Sequence, residues 1–321
     1  MPNAAVVVIG DVGHSPRTAN HALSLAEERG YDVFLIGYAE SALNERIANH
    51  KRIRVVPLPA PPTLPLPELA NLVWRFAWTA VVLFLTLIFR VGWSLNIVLV
   101  QNPPALPALI VAWMASRLRD ARFVVDWHNY TWSMLAERWA IGEEQMGAEM
   151  WEDSDAVRAE KRRKRVGGGR ASYVRLTHWL EGRMGRAADS ALCVSAAMAA
   201  DLKRRWAVQA EVFYDRPPQW KFGPSVSLAT KHSLFTRLAE DAAKRGDTET
   251  LKMLSGEEGG QGETFFSTTT RSREVWLRKE RPLIVMSSTS WTPDEDFSIL
   301  LQAVVEYERR VQQQKKEEKE K

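Results

Sequence analysis

The chain has 321 residues, 45% hydrophobic and 26% charged, the balance of a globular protein able to bury a core in two domains or in one large domain with tails. Its 43 basic and 39 acidic side chains leave a formal charge of +4, mild and unevenly spread, and no RNP, zinc-finger or helix-turn-helix pattern argues for a nucleic-acid partner. The single Cys193 excludes an intrachain disulfide and no Cys/His cluster suggests structural zinc, so the sequence reads as one for a reducing compartment or a cytosol-facing surface.

Met1 leads almost directly into the strand-like run Ala4–Ile9, with no charged and apolar signal-peptide pattern before it. The turn that follows, GDVGHSP, opens a helix predicted over Pro16–Arg29. It fails as a dinucleotide loop: Gly10 and Gly13 are spaced GxxG, the next strand (Val33–Ile36) ends in FLIGY, and Glu40 lies too far along to bind a ribose. The Walker pattern GK[ST] is also absent. Ser15 is placed to cap the helix, Pro16 suits its first position and Gly30 can end it. The glycines let backbone approach a ligand, while Asp11 competes with a phosphate, so a hydroxylated ligand such as a sugar fits better. A tight strand-to-helix turn with no ligand is the plainer alternative.

A third strand is predicted over Ile53–Val56, and then comes the most apolar stretch, LANLVWRFAWTAVVLFLTLIFRVGW. Between Arg75 and Arg90 it has no charge for fourteen residues, short of the roughly twenty a spanning helix needs. Trp74, Trp78 and Trp93 beside the arginines form an interfacial anchoring pattern. A buried helix, a helix embedded in one leaflet and a true span all remain open.

Strands at Ile97–Val100, Phe123–Val125, Leu192–Val194 and Val212–Tyr214 alternate with helices at Pro104–Leu118, Ser172–Arg186 and Ala196–Arg205. Continuous apolar strands separated by helices predict an α/β fold, a doubly wound parallel sheet whose ligands sit beyond the carboxyl ends of the strands. Those ends carry GDVGHSP, GYAES, QNPP, DWHN, SAAM and YDRPP. In VVDWHNYTWS, Asp126 ends a buried strand two residues before His128, offering a base and a carboxylate to orient it, while Trp127, Asn129 and Tyr130 can stack on and hydrogen-bond a sugar. A structural Asp126 and a backbone-bonded histidine are the alternative. Asn102-Pro103-Pro104 reads as a rigid turn that starts a helix. Two polar insertions, Glu143–Arg170 with its basic cluster Lys161–Arg165 and Ala243–Glu280, read as solvated, mobile loops. Last come a strand at Leu283–Met286, the loop SSTSW with a helix from about Pro293, where Thr292 and Glu295 resemble a capping box, and a charged tail. Hydroxyls and backbone N–H groups converging at that junction make a workable diphosphate cradle. No GxSxG, HExxH or kinase motif set is present.

GDVGHSPR, HALSLA, LVQNPPALP, FVVDWHNY, VFYDRPP and above all SSTSWTPDEDFSILLQA resemble the chitobiosyldiphosphodolichol β-mannosyltransferases, the β-1,4-mannosyltransferases of dolichol-linked oligosaccharide assembly. The resemblance covers nearly the whole chain apart from the insertions. It implies a GT-B architecture: an N-terminal Rossmann-like acceptor domain over about residues 1–222, a flexible linker over 223–281, the first β-α unit of a donor domain over 282–311 and a disordered tail over 312–321. It implies an inverting transfer of mannose from GDP-mannose to GlcNAc2-diphosphate-dolichol on the cytosolic face of the endoplasmic reticulum, at a membrane surface and alongside other glycosyltransferases of the pathway. Asp126, His128 and Asp11 are the base candidates; Gly10, Gly13, His14, Asn102, Trp127, Asn129 and Tyr130 would contact acceptor, and Ser288, Thr289, Ser290 and Trp291 the donor diphosphate. A divalent cation (Mg) is compatible with that chemistry, with no residue assigned to it. The family usually carries an N-terminal membrane anchor and a complete donor domain. This sequence is therefore expected to act poorly or not at all alone, the alternative being a catalytically silent, membrane-associated binding subunit.

Overall fold

The structure, a computed structural model, describes residues 2–65, 67–92, 94–139, 141, 168–216, 226–255, 263–270, 274–279, 281 and 296–319. The chain divides into two compact units, Met1–Asp215 and Arg216–Lys321.

In the first unit the seven apolar runs form one parallel sheet: β1 (Asn3–Asp11), β2 (Asp32–Tyr38), β3 (Ile53–Pro57), β4 (Leu95–Asn102), β5 (Arg122–Trp127), β6 (Ser190–Cys193) and β7 (Ala210–Val212). Their order across the sheet is β3-β2-β1-β4-β5-β6-β7, every neighbouring pair parallel. The winding reverses between β1 and β4, which makes their carboxyl ends the crevice where such sheets hold ligands.

Side chains alternate across the sheet, so β1 is buried on both faces. Ala4, Val6 and Val8 pack with Ala22, Leu23 and Ala26 of α1 (Pro16–Glu27) and with Ile47 of α2 (Glu45–Ala48). Ala5 and Val7 face the other layer, built by α3 (Glu68–Leu85), α4 (Ala108–Leu118), α5 (Thr131–Arg138), α6 (Gly168–Ala187) and α7 (Ala196–Trp206). Each fully buried Val, Leu or Ile contributes about 1.5–3 kcal/mol, which explains why contiguous β-branched runs choose the centre of a two-sided sheet.

The helix predicted from Ser15 begins at Pro16 and turns out through Gly30 at φ +69°. Ser15 departs from its expected role: its side chain makes no cap bond and instead pairs with Thr18 Oγ1 and Gln101 Oε1. The fourth helix begins at Ala108 and not at Pro104.

The apolar segment forms α3 and continues through a π-helical turn over Thr86–Arg90. Neither full burial nor full exposure describes it. Thr79, Leu83, Thr86 and Leu87 are buried on the domain, whereas Leu72, Val73, Phe76, Val81, Leu85 and Phe89 face outward. Trp74 and Trp78 donate their indole N–H groups to the carbonyls of Pro62 and Pro59, at 3.1 and 3.0 Å, so both rings are turned onto the proline-rich segment before the helix. Trp93 lies outside the described residues.

In the second unit, α8 (Leu228–Lys244) packs against α9 (Thr248–Ser255) and against β9 (Val275–Leu277), which pairs antiparallel with β8 (Ser267–Thr269). The rings of Phe235, Phe265 and Phe266 meet within 4.9–6.3 Å and hold it together. Much of the stretch expected to be a mobile linker is therefore ordered, because three phenylalanines give it a small core. A last helix, α10 (Phe297–Lys319), continues through the residues expected to be a disordered tail. The basic cluster Lys161–Arg165, the strand at Leu283–Met286, the capping box at Thr292 and the donor residues Ser288, Thr289, Ser290 and Trp291 lie outside the described residues.

Candidate functional site

The first turns of α1, the carboxyl end of β5 and the segment after β7 meet around one buried charge cluster. Arg17, in the first turn of α1, grips Asp126 with two bonds, Nε to Oδ2 at 2.7 Å and Nη2 to Oδ1 at 2.6 Å. His21, one turn on, lies with Nε2 3.0 Å from the same Oδ2. The remaining Arg17 nitrogen, Nη1, donates to the Phe213 carbonyl at 2.7 Å and to Asp215 Oδ1 at 2.8 Å. Phe213 stacks on His21 at 5.1 Å between centroids and lies under the guanidinium. Burial alone would raise the Asp126 pKa, but the bonds from His21 and Arg17 outweigh it and hold the carboxyl at about 2.

Asp126 is thus corrected as a base candidate. It is fully buried, both oxygens are engaged and its proton affinity is low, so it cannot take a proton from an acceptor. Two expected sugar contacts are corrected on the same ground. Trp127 is fully buried, its ring packed against Tyr130 and Trp206. Asn102 is fully buried too, donating from Nδ2 to the Asn129 carbonyl at 3.0 Å and to Glu181 Oε1 at 2.7 Å. Tyr130 is half-buried and donates its hydroxyl to Asp201 at 2.8 Å.

Glu181, on α6, caps the start of α5: Oε1 accepts from Thr131 N at 2.8 Å and Oε2 from Trp132 N at 3.2 Å. Burial pushes its pKa up to about 7, against the pull of the bonds from Asn102, Thr131 and Trp132. It holds the DWHN loop from below.

What reaches solvent at this edge is a shorter set. Asn129 is exposed, His128 is 49% exposed, and its Nε2 lies 3.9 Å from Asp215 Oδ2. His14 is 80% exposed, with Nδ1 2.7 Å from Asp11 Oδ2. The other Asp11 oxygen accepts from Gly13 N at 3.2 Å, Glu40 N at 3.2 Å and Ser41 N at 3.4 Å, tying the turn after β1 to the loop after β2. Ser41 contributes most to holding the Asp11 carboxyl well below the usual carboxylate range, followed by His14 and the Gly13 and Glu40 N–H groups, with partial desolvation opposing them. Gly13 is obligatory here, since a Cβ would stand 2.2 Å from Ser41 Oγ and 2.9 Å from the Ala42 carbonyl. Gly10 has no such demand; a Cβ there meets only Val8 at 3.6 Å.

Arg17, His21, Glu181 and Asp215 escaped the sequence reading. Arg17 left one signal: an arginine in the first turn of a helix opposes the helix dipole and needs a buried anion to hold it there. Among the described residues no group of three or more His, Cys, Asp or Glu is arranged to hold a metal ion.

A family model described as a glycosyl transferase 4-like domain matches residues 12–213, which hold six of the seven strands, β2 to β7. The chain is 36% identical over 314 residues to UDP-glycosyltransferase TURAN of Arabidopsis thaliana, covering 96% of this chain and 60% of that protein. It is 31% identical over 309 residues to the chitobiosyldiphosphodolichol beta-mannosyltransferase of Homo sapiens, covering 95% of this chain and 58% of that one. The chain therefore spans about three-fifths of these relatives' length. Among solved structures, a UDP-glucose: anthocyanidin 3-O-glucosyltransferase in complex with UDP matches with a TM-score of 0.44 and 12% identity, over 73% of this chain and 57% of that one.

Proposed function

Because the chain belongs to the glycosyl transferase 4-like family, we propose that its sheet unit is the acceptor side of an inverting mannosyltransferase that moves mannose from GDP-mannose to GlcNAc2-diphosphate-dolichol. The observation that carries this reading is the pairing, within one unit, of an exposed imidazole edge at the strand termini with a helix whose outer face is apolar. A polar sugar and a lipid tail need both surfaces. Similarity to the human chitobiosyldiphosphodolichol beta-mannosyltransferase over 95% of the chain supports the choice of sugar and lipid.

The reaction is one displacement. A base takes the proton of the acceptor 4-hydroxyl, that oxygen bonds to mannose C1, and the C1–oxygen bond to GDP breaks with its electron pair leaving on the diphosphate. Attack opposite the leaving group turns the α linkage of the donor into β. The donor diphosphate falls to the SSTSW segment, with a divalent cation such as Mg as an optional partner. The outward face of α3 lies in the surface of the membrane that carries the dolichol, on the cytosolic face of the endoplasmic reticulum.

The test is calorimetric titration of the 321-residue chain with a GlcNAc2-diphosphate carrying a short isoprenoid tail, and separately with GDP-mannose and a UDP-sugar, the nucleotide in the Arabidopsis relative's name. Binding of the acceptor is expected. Binding of neither ligand, with retained vesicle binding, would replace this reading with that of a silent membrane-associated subunit.

A further inference from the structure

Two exposed histidines stand at the carboxyl edge, each with an aspartate behind it, and the two pairs differ physically. Asp215 is already ion-paired to Arg17 at 2.8 Å, which spends its charge, and it stops 3.9 Å short of the His128 ring, beyond a hydrogen bond. Asp11 meets the His14 ring at 2.7 Å, and among the described residues it pairs with no lysine or arginine. Three backbone N–H groups fix its other oxygen, so the carboxylate cannot swing away. It is 15% exposed behind a ring that is 80% exposed, so the ring points outward from a fixed support.

We propose that His14 is the general base of the transfer, with Asp11 as its positioning residue; this rests on the reading of the sheet unit as the acceptor side. An ionised carboxylate only accepts hydrogen bonds, so a neutral His14 donates from Nδ1 and leaves the Nε2 lone pair bare at the solvent side. In the transfer Nε2 takes the proton of the acceptor 4-hydroxyl. That oxygen bonds to mannose C1 as GDP leaves, and the imidazolium is stabilised by Asp11 until the proton passes to solvent. The turn follows the carboxyl end of β1, one of the two strands at the winding reversal, and the Gly13 approach to Ser41 and Ala42 locks the turn against rotation. From the sequence alone Asp11, Asp126 and His128 are the base candidates and His14 is expected only to contact acceptor.

Nitrogen-15 NMR of the histidine rings in the 321-residue chain, at a pH where the rings are neutral, tests both parts. In the natural chain His14 is expected as the Nδ1–H tautomer. In Asp11→Asn the remaining oxygen still accepts from the loop N–H groups, but the new amide donates to Nδ1, so the tautomer inverts to Nε2–H. A His14 already in the Nε2–H form, or one indifferent to Asp11→Asn, overturns the dyad. The second arm adds a short-tailed GlcNAc2-diphosphate and its analogue lacking the terminal 4-hydroxyl. The hydroxylated ligand is expected to move the His14 Nε2 resonance and the deoxy analogue to leave it in place. If both bind and shift His14 equally, or shift only His128, the base assignment is overturned while the acceptor reading stands. If neither binds, the acceptor reading falls and the base assignment falls with it.

Discussion

Arg17 is 4% exposed with a permanent charge, so its three contacts decide whether the strand edge holds together. Removing one partner of a buried ion pair leaves an uncompensated charge and costs about 3–5 kcal/mol. Asp126→Asn is therefore expected to lower the urea midpoint steeply, followed by tryptophan fluorescence; an unchanged midpoint would contradict the buried pair. The pH dependence of this site runs one way: the folded pKa of about 2 lies below the ordinary 3.8, so the stabilisation is whole above pH 3.8 and is lost as pH falls toward 2. Glu181 and His178, three residues apart on α6, oppose each other. Glu181 is raised from 4.5 to about 7, so it contributes most below pH 4.5 and less as pH rises to 7. His178, half-buried between Trp132 and Trp206, is lowered from 6.5 to about 4, so its contribution is whole above pH 6.5 and shrinks as pH falls. Between pH 4.5 and 6.5 the two slopes cancel in part. Glu181→Gln, besides losing absolute stability, should show stability rising with pH across that window; a profile parallel to the natural chain would reject the assignment. None of this was legible beforehand, because Asp126 in DWHN gives no sign of whether its carboxylate faces solvent or an arginine 109 positions away.

The strands, by contrast, were largely legible: six of the expected runs overlap their strands well, since a two-sided parallel sheet demands continuous apolarity, whereas the seventh, expected at Val212–Tyr214, forms over Ala210–Val212 and shares one residue with the expectation. Helix α3 was not, because a segment apolar on every side gives no clue to which face packs. The facing is decided by neighbours far in sequence. Arg119, after α4, donates from Nη1 to the Leu87 and Ile88 carbonyls at 3.0 and 2.8 Å, and from Nη2 to Gly92 O, closing the end of the helix. Pro59 and Pro62 take both indoles. The most apolar part of Ala70–Arg90 has a mean hydropathy of 2.0 and is 22% buried, and the segment, about 32 Å long at 1.5 Å per residue, lies along the domain with one face docked. Val73 and Phe89, 60% and 72% exposed, would each contribute up to about 1.5–3 kcal/mol on entering lipid. The double substitution Val73→Ser, Phe89→Ser is expected to weaken co-sedimentation with phosphatidylcholine vesicles about 100-fold, with the thermal midpoint nearly unchanged because neither side chain is in the core. Undiminished co-sedimentation would remove α3 from the membrane contact.

At the scale of the whole molecule, the boundary after Asp215 has a physical cause. The sheet ends at Val212, yet the next three residues still belong to it: Phe213 N donates to the Cys193 carbonyl at 2.8 Å, the Phe213 carbonyl and the Asp215 carboxylate take Arg17 Nη1, and the Phe213 ring covers His21. A chain cut after Val212 keeps every strand but leaves Arg17 Nη1 without either acceptor in a buried setting, a loss of about 1–3 kcal/mol. A chain cut after Asp215 keeps both. Each kcal/mol corresponds to about 2–4 °C in a domain of this size. Residues 1–215 should therefore fold alone and melt several degrees above residues 1–212 in a scanning calorimeter, and Arg17→Met should remove most of that difference because the three added residues then have no charge to satisfy. Equal melting of the two fragments, with Arg17 intact, would mean that the sheet is complete without Phe213–Asp215 and that Arg17 serves only Asp126.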